Sequence, residues 1–358
     1  MGDKLKEIHV MVTAAGAPGA PGIIKSLRLN GEREIRIVGT DINPQSAGLF
    51  MVDKSYIVPR GKDKDFIPRM LEIAAIEKID TIQPLATDEL PSFAENIERF
   101  EAIGTKVLVS KPKFLERANN KGKLYSFLES KGIPAPKSAM VSQLAEFKDA
   151  VYKLGYPNIP VCVKPQVSKG GRGFRIIKKE IDKLNILLNS KPDSTLVTLE
   201  DMLSILKDAK PFPQLVVMEY LPGDEYSVDL LAKNGEPLIV VPRKRGTIKL
   251  GISFAGKIEE NNEVMEMAKA ISKVLKLDYN VNMQLKYAAD GVPKIIEINP
   301  RVSGTIVLCT GGGVNMPYLG VKLALGEATP EITPNYDTEM IRYWQEVFID
   351  PEGHTFQL

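Results

Sequence analysis

Apolar positions along the first hundred or so residues follow two alternating rhythms. Short apolar runs at 8–14, 35–40, 81–84 and 106–109 read as strands, and helix-spaced apolar stripes fall between them at 21–29, 66–77 and 91–99. Such alternation predicts a small parallel α/β domain over residues 1–112. A second region opens near Lys113 with one helix pattern through Arg117, Lys121, Leu124, Phe127 and Leu128, stopped by Gly132, Pro134 and Pro136. Beyond it lie an apolar strand ending at Lys164, helices and a polar connection over 178–214, and the apolar strand Leu215-Val216-Val217-Met218.

Toward the C-terminus the period is two. In Lys294-Ile295-Ile296-Glu297-Ile298-Asn299-Pro300-Arg301, alternation puts Glu297 and Asn299 on one strand face, just before an arginine. Residues 281–287 read as a partner strand, joined through Ala288-Ala289-Asp290-Gly291-Val292-Pro293, whose Asp-Gly predicts a two-residue hairpin loop. That loop would set Gln284 opposite Glu297, so that Gln284, Glu297 and Asn299 supply three oxygen donors, with Lys286 and Arg301 nearby. Magnesium and manganese take oxygen donors, few of them from protein when phosphates and waters fill the octahedron. The same pattern also suits an amphipathic hairpin with a solvated polar face.

Glycine-bearing turns mark further candidates. Lys164-Pro165-Gln166-Val167-Ser168-Lys169-Gly170-Gly171-Arg172-Gly173 joins two strands; its glycines let backbone amides approach an anion, and Lys164, Lys169 and Arg172 add positive charge. It is no Walker motif, because no Gly-Lys-Ser/Thr opens a helix. Gly16, Gly19 and Gly22 follow the first strand in a Gly-x-x-Gly-x-x-Gly spacing unlike a dinucleotide fingerprint, and Asp41 follows the second strand. Nucleotide binding there and a turn that needs glycine only for its own geometry are both open. Thr87-Asp88-Glu89 reads equally as a ligand site at a strand end or as a helix N-cap. Glu219-Tyr220-Leu221 leaves a strand with backbone groups free for an adenine edge, and Glu225 can accept from ribose hydroxyls.

Bulk properties narrow little. The 358 residues, 44% of them hydrophobic, suffice for two or three domains, and a net charge of +2 gives no reason to invoke nucleic acid or an acidic membrane surface. Cys162 and Cys309 sit in apolar runs far apart, as free thiols in a reducing compartment do. With His9 and His354 the only histidines, imidazole catalysis is disfavoured. No signal peptide or membrane-length apolar stretch is visible, so a cytoplasmic protein is expected. The sequence leaves the oligomeric state open, a homodimer included.

The order of these features, Lys121, Lys164, the glycine loop, Glu219-Tyr220-Leu221, Glu225, Gln284 and Glu297-Ile298-Asn299-Pro300-Arg301, strongly resembles the ATP-grasp superfamily. Within it, the likeness is greatest to the carbamoyl-phosphate-synthase-like carboxylate–amine ligases, over residues 1–327. The resemblance implies a pre-ATP-grasp, Rossmann-like domain over 1–112, then an α+β ATP-grasp domain over 113–330 and a tail over 331–358. Of the ATP-grasp domain, 113–212 would carry the lid and 213–330 the metal ligands. It further implies that Lys121, Lys164, Ser168, Lys169, Gly170 and Gly171 meet phosphates, and that Glu219, Tyr220, Leu221 and Glu225 hold adenosine. Gln284, Glu297 and Asn299 would bind Mg2+ or Mn2+, and Arg301 would stabilise the transferring phosphoryl group.

The reaction so implied joins a small carboxylate to an amine or thiol, with ATP, through an acylphosphate. The chain is too short for the duplicated halves of a carbamoyl phosphate synthase large subunit, which leaves a fragment-like enzyme activating bicarbonate or carbamate, and a non-catalytic ATP-binding regulator, as alternatives. Residues 190–210 look like an insertion without a chemical role. For the acid substrate the candidate surfaces are 16–22 with 87–89, the basic run 242–246, and 303–305 with 311–315; Arg243 and Arg245 could hold a carboxylate, or be a solvated or phosphate-facing strand end.

Overall fold

The structure, a computed structural model, describes residues 5–166, 172–190, 194–249 and 252–356. It divides into two units. One comprises Met1–Glu116, Tyr226–Gln284 and Ile298–Leu358; the other comprises Arg117–Glu225 and Leu285–Glu297.

In the first unit the N-terminal alternation becomes a five-stranded parallel sheet, ordered Lys54–Ile57, Ile35–Asp41, Ile8–Val12, Thr81–Gln83, Lys106–Val107. Strand Lys54–Ile57 was not apparent from the apolar pattern, because as an edge strand it buries none of its four residues. The stripe at 91–99 forms two short helices, Leu90–Glu95 and Ile97–Glu101, separated by Asn96 at φ −121°. One sheet face, with Met11, Val38 and Ile82, packs on Phe66, Met70, Phe93 and Phe100. The other, with Val10, Val12 and Ile37, shares a single core with Leu231, Val241, Ile258, Val302, Ile306 and Leu319. Residues 1–112 therefore bury one face against residues more than a hundred positions further on.

A six-stranded sheet runs Pro293–Asn299, Tyr279–Tyr287, Glu225–Lys233, Glu236–Arg245, Ala255–Ile258, Glu339–Ile341. Its last strand comes from residues 331–358, so the C-terminal segment is an integral strand, paired antiparallel with Ala255–Ile258.

The second unit holds a five-stranded sheet ordered Ser138–Val141, Leu215–Glu219, Val161–Pro165, Arg175–Ile177, Leu196–Val197. Phe147, Val151, Val163, Met202, Leu206 and Val217 fill its core. The insertion-like 190–210 segment supplies the last strand and the helix Leu199–Leu206, whose Thr198 and Asp201 form a capping box. It extends the sheet and the core.

Two local expectations change. The helix pattern from Lys113 is broken into Pro112–Asn119 and Lys121–Glu129, because Asn120 leaves helical geometry (φ −110°, ψ 105°) and its side chain accepts from the Lys123 N–H at 3.1 Å. The hairpin loop is also wider than two residues. Ala288 N–H bonds the Val292 carbonyl at 3.0 Å, Gly291 N–H bonds the Ala288 carbonyl at 3.1 Å, and Gly291 has φ +79°. This is a three-residue loop with a glycine bulge, and it removes the basis on which a two-residue turn set Gln284 opposite Glu297. Among the described residues no helix is long and apolar enough to cross a membrane.

Candidate active site

In the second unit the helix that starts afresh at Lys121 presents Lys121 and Tyr125 one turn apart, and strand Val161–Pro165 presents Lys164. Lys164 is buried; its Nζ donates to Tyr125 Oη and to the Ile296 carbonyl, each at 3.1 Å, and Tyr125 Oη donates to the same carbonyl at 2.9 Å. Burial, reinforced by the neighbouring Lys121 charge, pushes the Lys164 ammonium down to about 8. Lys121 is lowered by burial as well, against the pull of Glu297, whose Oε1 lies 3.8 Å from Lys121 Nζ. Both lysines therefore pay a desolvation cost.

The strand Leu215–Glu219 ends on the adenosine-edge candidates. Glu219 is already engaged: its Oε1 accepts from Lys294 Nζ at 2.6 Å and from the Lys137 N–H at 3.0 Å. Tyr220 and Leu221 make no backbone hydrogen bond among the described residues, so their N–H and C=O groups are free for a ligand edge. Lys286 Nζ stands over the Tyr220 ring, 5.8 Å from its centroid. Glu225 opens the next strand, half-buried, close enough to Lys164 to pull on its proton. Ser168, Lys169, Gly170 and Gly171 lie outside the described residues.

Gln284, Asn299 and Arg301 belong to the first unit. Pro300 turns the chain tightly, with Arg301 N–H bonded to the Asn299 carbonyl at 2.8 Å. Arg301 then spreads its guanidinium over the Val302 carbonyl at 2.6 Å, and over Thr87 Oγ1 and Asn299 Oδ1 at 3.4 Å each. Thr87 thus reaches the phosphoryl-transfer candidate. Arg243, by contrast, is fully buried: its Nε meets Asp229 Oδ2 at 2.7 Å, and its other donors meet Ser227, Ser303 and Thr305. It is an internal strut under the 303–305 loop, not a solvated strand end and not free for a substrate.

The N-terminal glycine turn also reads differently in three dimensions. Asp41 spends its carboxylate on the Gly16 N–H at 2.7 Å and the Asn43 N–H at 2.8 Å, and a Cβ at Gly19 would fall 2.5 Å from Gly304 Cα. The glycines answer to packing. Glu89 precedes its helix without capping it; its carboxyl accepts instead from the Thr13 hydroxyl, and burial raises it to about 7 against that bond.

Sequence profiles of two families match the chain: "ATP-grasp in the biosynthetic pathway with Ter operon" over residues 211–347, and "PylC-like, N-terminal domain" over 20–108. The carbamoyl phosphate synthase large chain of Clostridium acetobutylicum is 26% identical over 240 residues, covering 64% of this chain and 21% of its own. Among solved structures, the ADP complex of an N5-carboxyaminoimidazole ribonucleotide synthetase superposes with TM-score 0.65 at 16% identity, covering 93% of this chain and 81% of its own. Residues 211–347 match an ATP-grasp family model, and the fold is the one these structures share. A further solved structure, the biotin carboxylase domain of Hydrogenobacter thermophilus 2-oxoglutarate carboxylase with MgADP and bicarbonate, has TM-score 0.66 at 16% identity, covering 92% of this chain and 72% of its own. The chain spans about a fifth of the length of its carbamoyl phosphate synthase relative.

Sequence reading passed over two residues of this candidate site. Tyr125 was not singled out in its helix, and Lys294 falls on the strand face opposite Glu297 and Asn299, with Ile296 and Ile298. A lysine sharing a face with Ile296 and Ile298 is itself a signal, since a buried ammonium requires an acceptor.

Proposed function

We propose that this protein is an ATP-grasp carboxylate–amine ligase, with a thiol as the variant nucleophile, that forms an acylphosphate and releases ADP and phosphate. The observation that carries the reading is Lys164: a buried ammonium whose hydrogen-bond acceptors, Tyr125 Oη and the Ile296 carbonyl, are both neutral. With Lys121 beside it, this is a site built to receive a polyanion.

Gln284, Glu297 and Asn299, the residues the resemblance points to, each carry a hard oxygen donor, and the Glu297 carboxylate is partly exposed and only loosely paired with Lys121, so by their chemistry these residues would suit magnesium, or manganese in its place. A metal held by these donors would supply positive charge against the phosphates of ATP. In the reaction, the substrate carboxylate oxygen attacks the γ-phosphorus, and the bond to the β-phosphate oxygen breaks. Lys121 and Lys164 balance phosphate charge and Arg301 stabilises the phosphoryl group in flight, so positioning and electrostatics carry the step without a side-chain nucleophile. The amine then attacks the acyl carbon and phosphate leaves, the amine's proton passing to solvent. Free buried Cys162 and Cys309 suit a cytoplasmic setting.

The carbamoyl phosphate synthase relative favours one second reading, in which bicarbonate or carbamate is the acid. The test is release of ADP, AMP and phosphate from MgATP across a panel of carboxylates and amines, with bicarbonate alone as a separate arm. ADP and phosphate dependent on one acid and one amine are expected, and Glu297→Ala should lower turnover by ~10²-fold or more while keeping its unfolding transition. Bicarbonate-stimulated hydrolysis without an amine would select the second reading; AMP, or full activity in Glu297→Ala, would overturn the ligase assignment.

A further inference from the structure

Within the first unit, the helix Ala20–Arg28, the 3-10 helix Ala47–Phe50 and the hairpin of strands Phe348–Ile349 and Thr355–Phe356 line a cavity of about 380 Å³. That volume lies at the small end of the range for ligand sites, about 300–1,000 Å³. The body of the cavity is apolar. Buried Ile24 lines it together with Phe50, Met51 and Val347, and the Phe356 ring beside them is fixed by stacking on Phe348, with centroids 5.2 Å apart.

The charged lining is of one sign. Lys25 and Arg28, one turn apart on the helix, are joined by the Thr355 hydroxyl, and no carboxylate among the described residues lines the cavity. Both cations are exposed while Ile24 beside them is buried, so the charges stand at the solvent side of an apolar interior. Lys25 Nζ meets a neutral acceptor, Gln345 Oε1, at 3.5 Å. Arg28 Nη2 meets Asp53 Oδ1 at 3.2 Å, in a pair whose side chains are 47% and 39% exposed, and the other Asp53 oxygen accepts from the Ile37 N–H at 2.7 Å. An exposed pair of this kind is weak, so Arg28 can exchange it for an anion in the cavity. An uncharged apolar ligand would cover both cations without partnering them, and an inorganic anion would leave the apolar walls in water; a ligand that carries charge and body answers both.

We propose that this cavity binds a small anion with an apolar body, an acyl or aryl carboxylate or phosphate, whose body lies against Ile24, Met51 and Phe356 and whose charged head meets Lys25 and Arg28. None of these residues belongs to the ATP or metal positions described above, so the inference stands apart from the ligase reading. It gives the C-terminal hairpin and the helix after the N-terminal glycine turn a binding role of their own.

The test measures binding to the full chain by calorimetry with MgADP saturating, which keeps the probes out of the nucleotide site; should the chain not bind MgADP, the ligase reading suffers and the same comparison is made without it. The probes are octanoate, benzoate, octyl phosphate and phenyl phosphate, with octanamide and benzamide lacking the charge and acetate and inorganic phosphate lacking the body. At least one of the four anions should bind saturably, about tenfold or more tighter than the counterpart without its charge or its body. Lys25→Gln combined with Arg28→Gln should weaken that anion by about tenfold or more, and Thr355→Trp, at an exposed position, should weaken it by filling the cavity. Thermal unfolding and MgADP binding of the variants should match wild type; if the double variant does not fold, each single substitution carries the comparison. Octanoate against octyl phosphate, and benzoate against phenyl phosphate, identify the head group. No saturable binding of any of the four anions, equal affinity for an anion and its uncharged counterpart, or undiminished binding in the variants that fold overturns the proposal.

Discussion

A lysine taken out of water gives up its proton more readily, and Lys164 shows what that does to an ATP site. Below about 8 its ammonium is charged and able to meet phosphate; above that it is increasingly neutral, where an ordinary lysine would stay charged two pH units longer. The sign follows: kcat/KM for MgATP, which reports the free enzyme, should be flat below pH about 8 and fall by about tenfold per unit above it. Lys121, lowered in the same direction, steepens the fall. A steady-state profile from pH 6.5 to 10 at constant ionic strength checks this, and a plateau persisting to pH 10 would remove Lys164 from phosphate binding. At this scale, residues with an odd chemistry for their place were legible: Lys164 ending an apolar strand, Glu297 and Asn299 on one strand face. Arg243 was not, because whether it is free for a substrate depends on where Asp229 points, and sequence does not carry that.

Elements were legible where burial on one face imposes a period, and misread where a single polar side chain reset the backbone. The helix from Lys113 looked continuous because its apolar spacing runs on past Asn120, yet the Asn120 carboxamide caps a new helix there and so sets where Lys121 and Tyr125 point. Asn120→Ala should cost ~1 kcal/mol by the loss of that cap, with an increase in KM for MgATP as Lys121 loses its fixed origin. Urea unfolding and steady-state kinetics on one preparation read both; an unchanged KM with the expected stability loss would make the cap purely structural. The hairpin teaches the same lesson at Gly291, where the bulge changes the loop length that sequence alone took from Asp-Gly.

At the scale of the molecule, the change of rhythm near residue 112 marks no edge of the core. Val10, Val12 and Ile37 share one apolar interior with Val302, Ile306 and Leu319, and Arg33 ties this layer to Glu327 at 2.6 Å while Glu32 pairs with Lys322 at 2.6 Å. Sequence patterns report local periodicity, so they divide a chain where the rhythm changes, not where burial does. Residues 113–358 expressed alone should therefore be insoluble or aggregated, because the cut uncovers that interior. Soluble yield and size-exclusion behaviour against the full chain decide it, and a monodisperse, stable fragment would show that the N-terminal layer is dispensable for folding.

That shared interior also sets a timetable for synthesis. The N-terminal sheet is complete once Lys106–Val107 has left the ribosome, but the distant part of the cover over its second face, from Leu231 to Leu319, arrives roughly 120 to 210 residues later, an interval of roughly 6–40 s at cellular elongation rates. For that time the nascent chain displays an apolar surface whose native cover does not yet exist, which makes it a client for whatever holdase waits at the tunnel exit. Any change that slows translation between the two segments lengthens the exposure without altering a single contact of the finished protein.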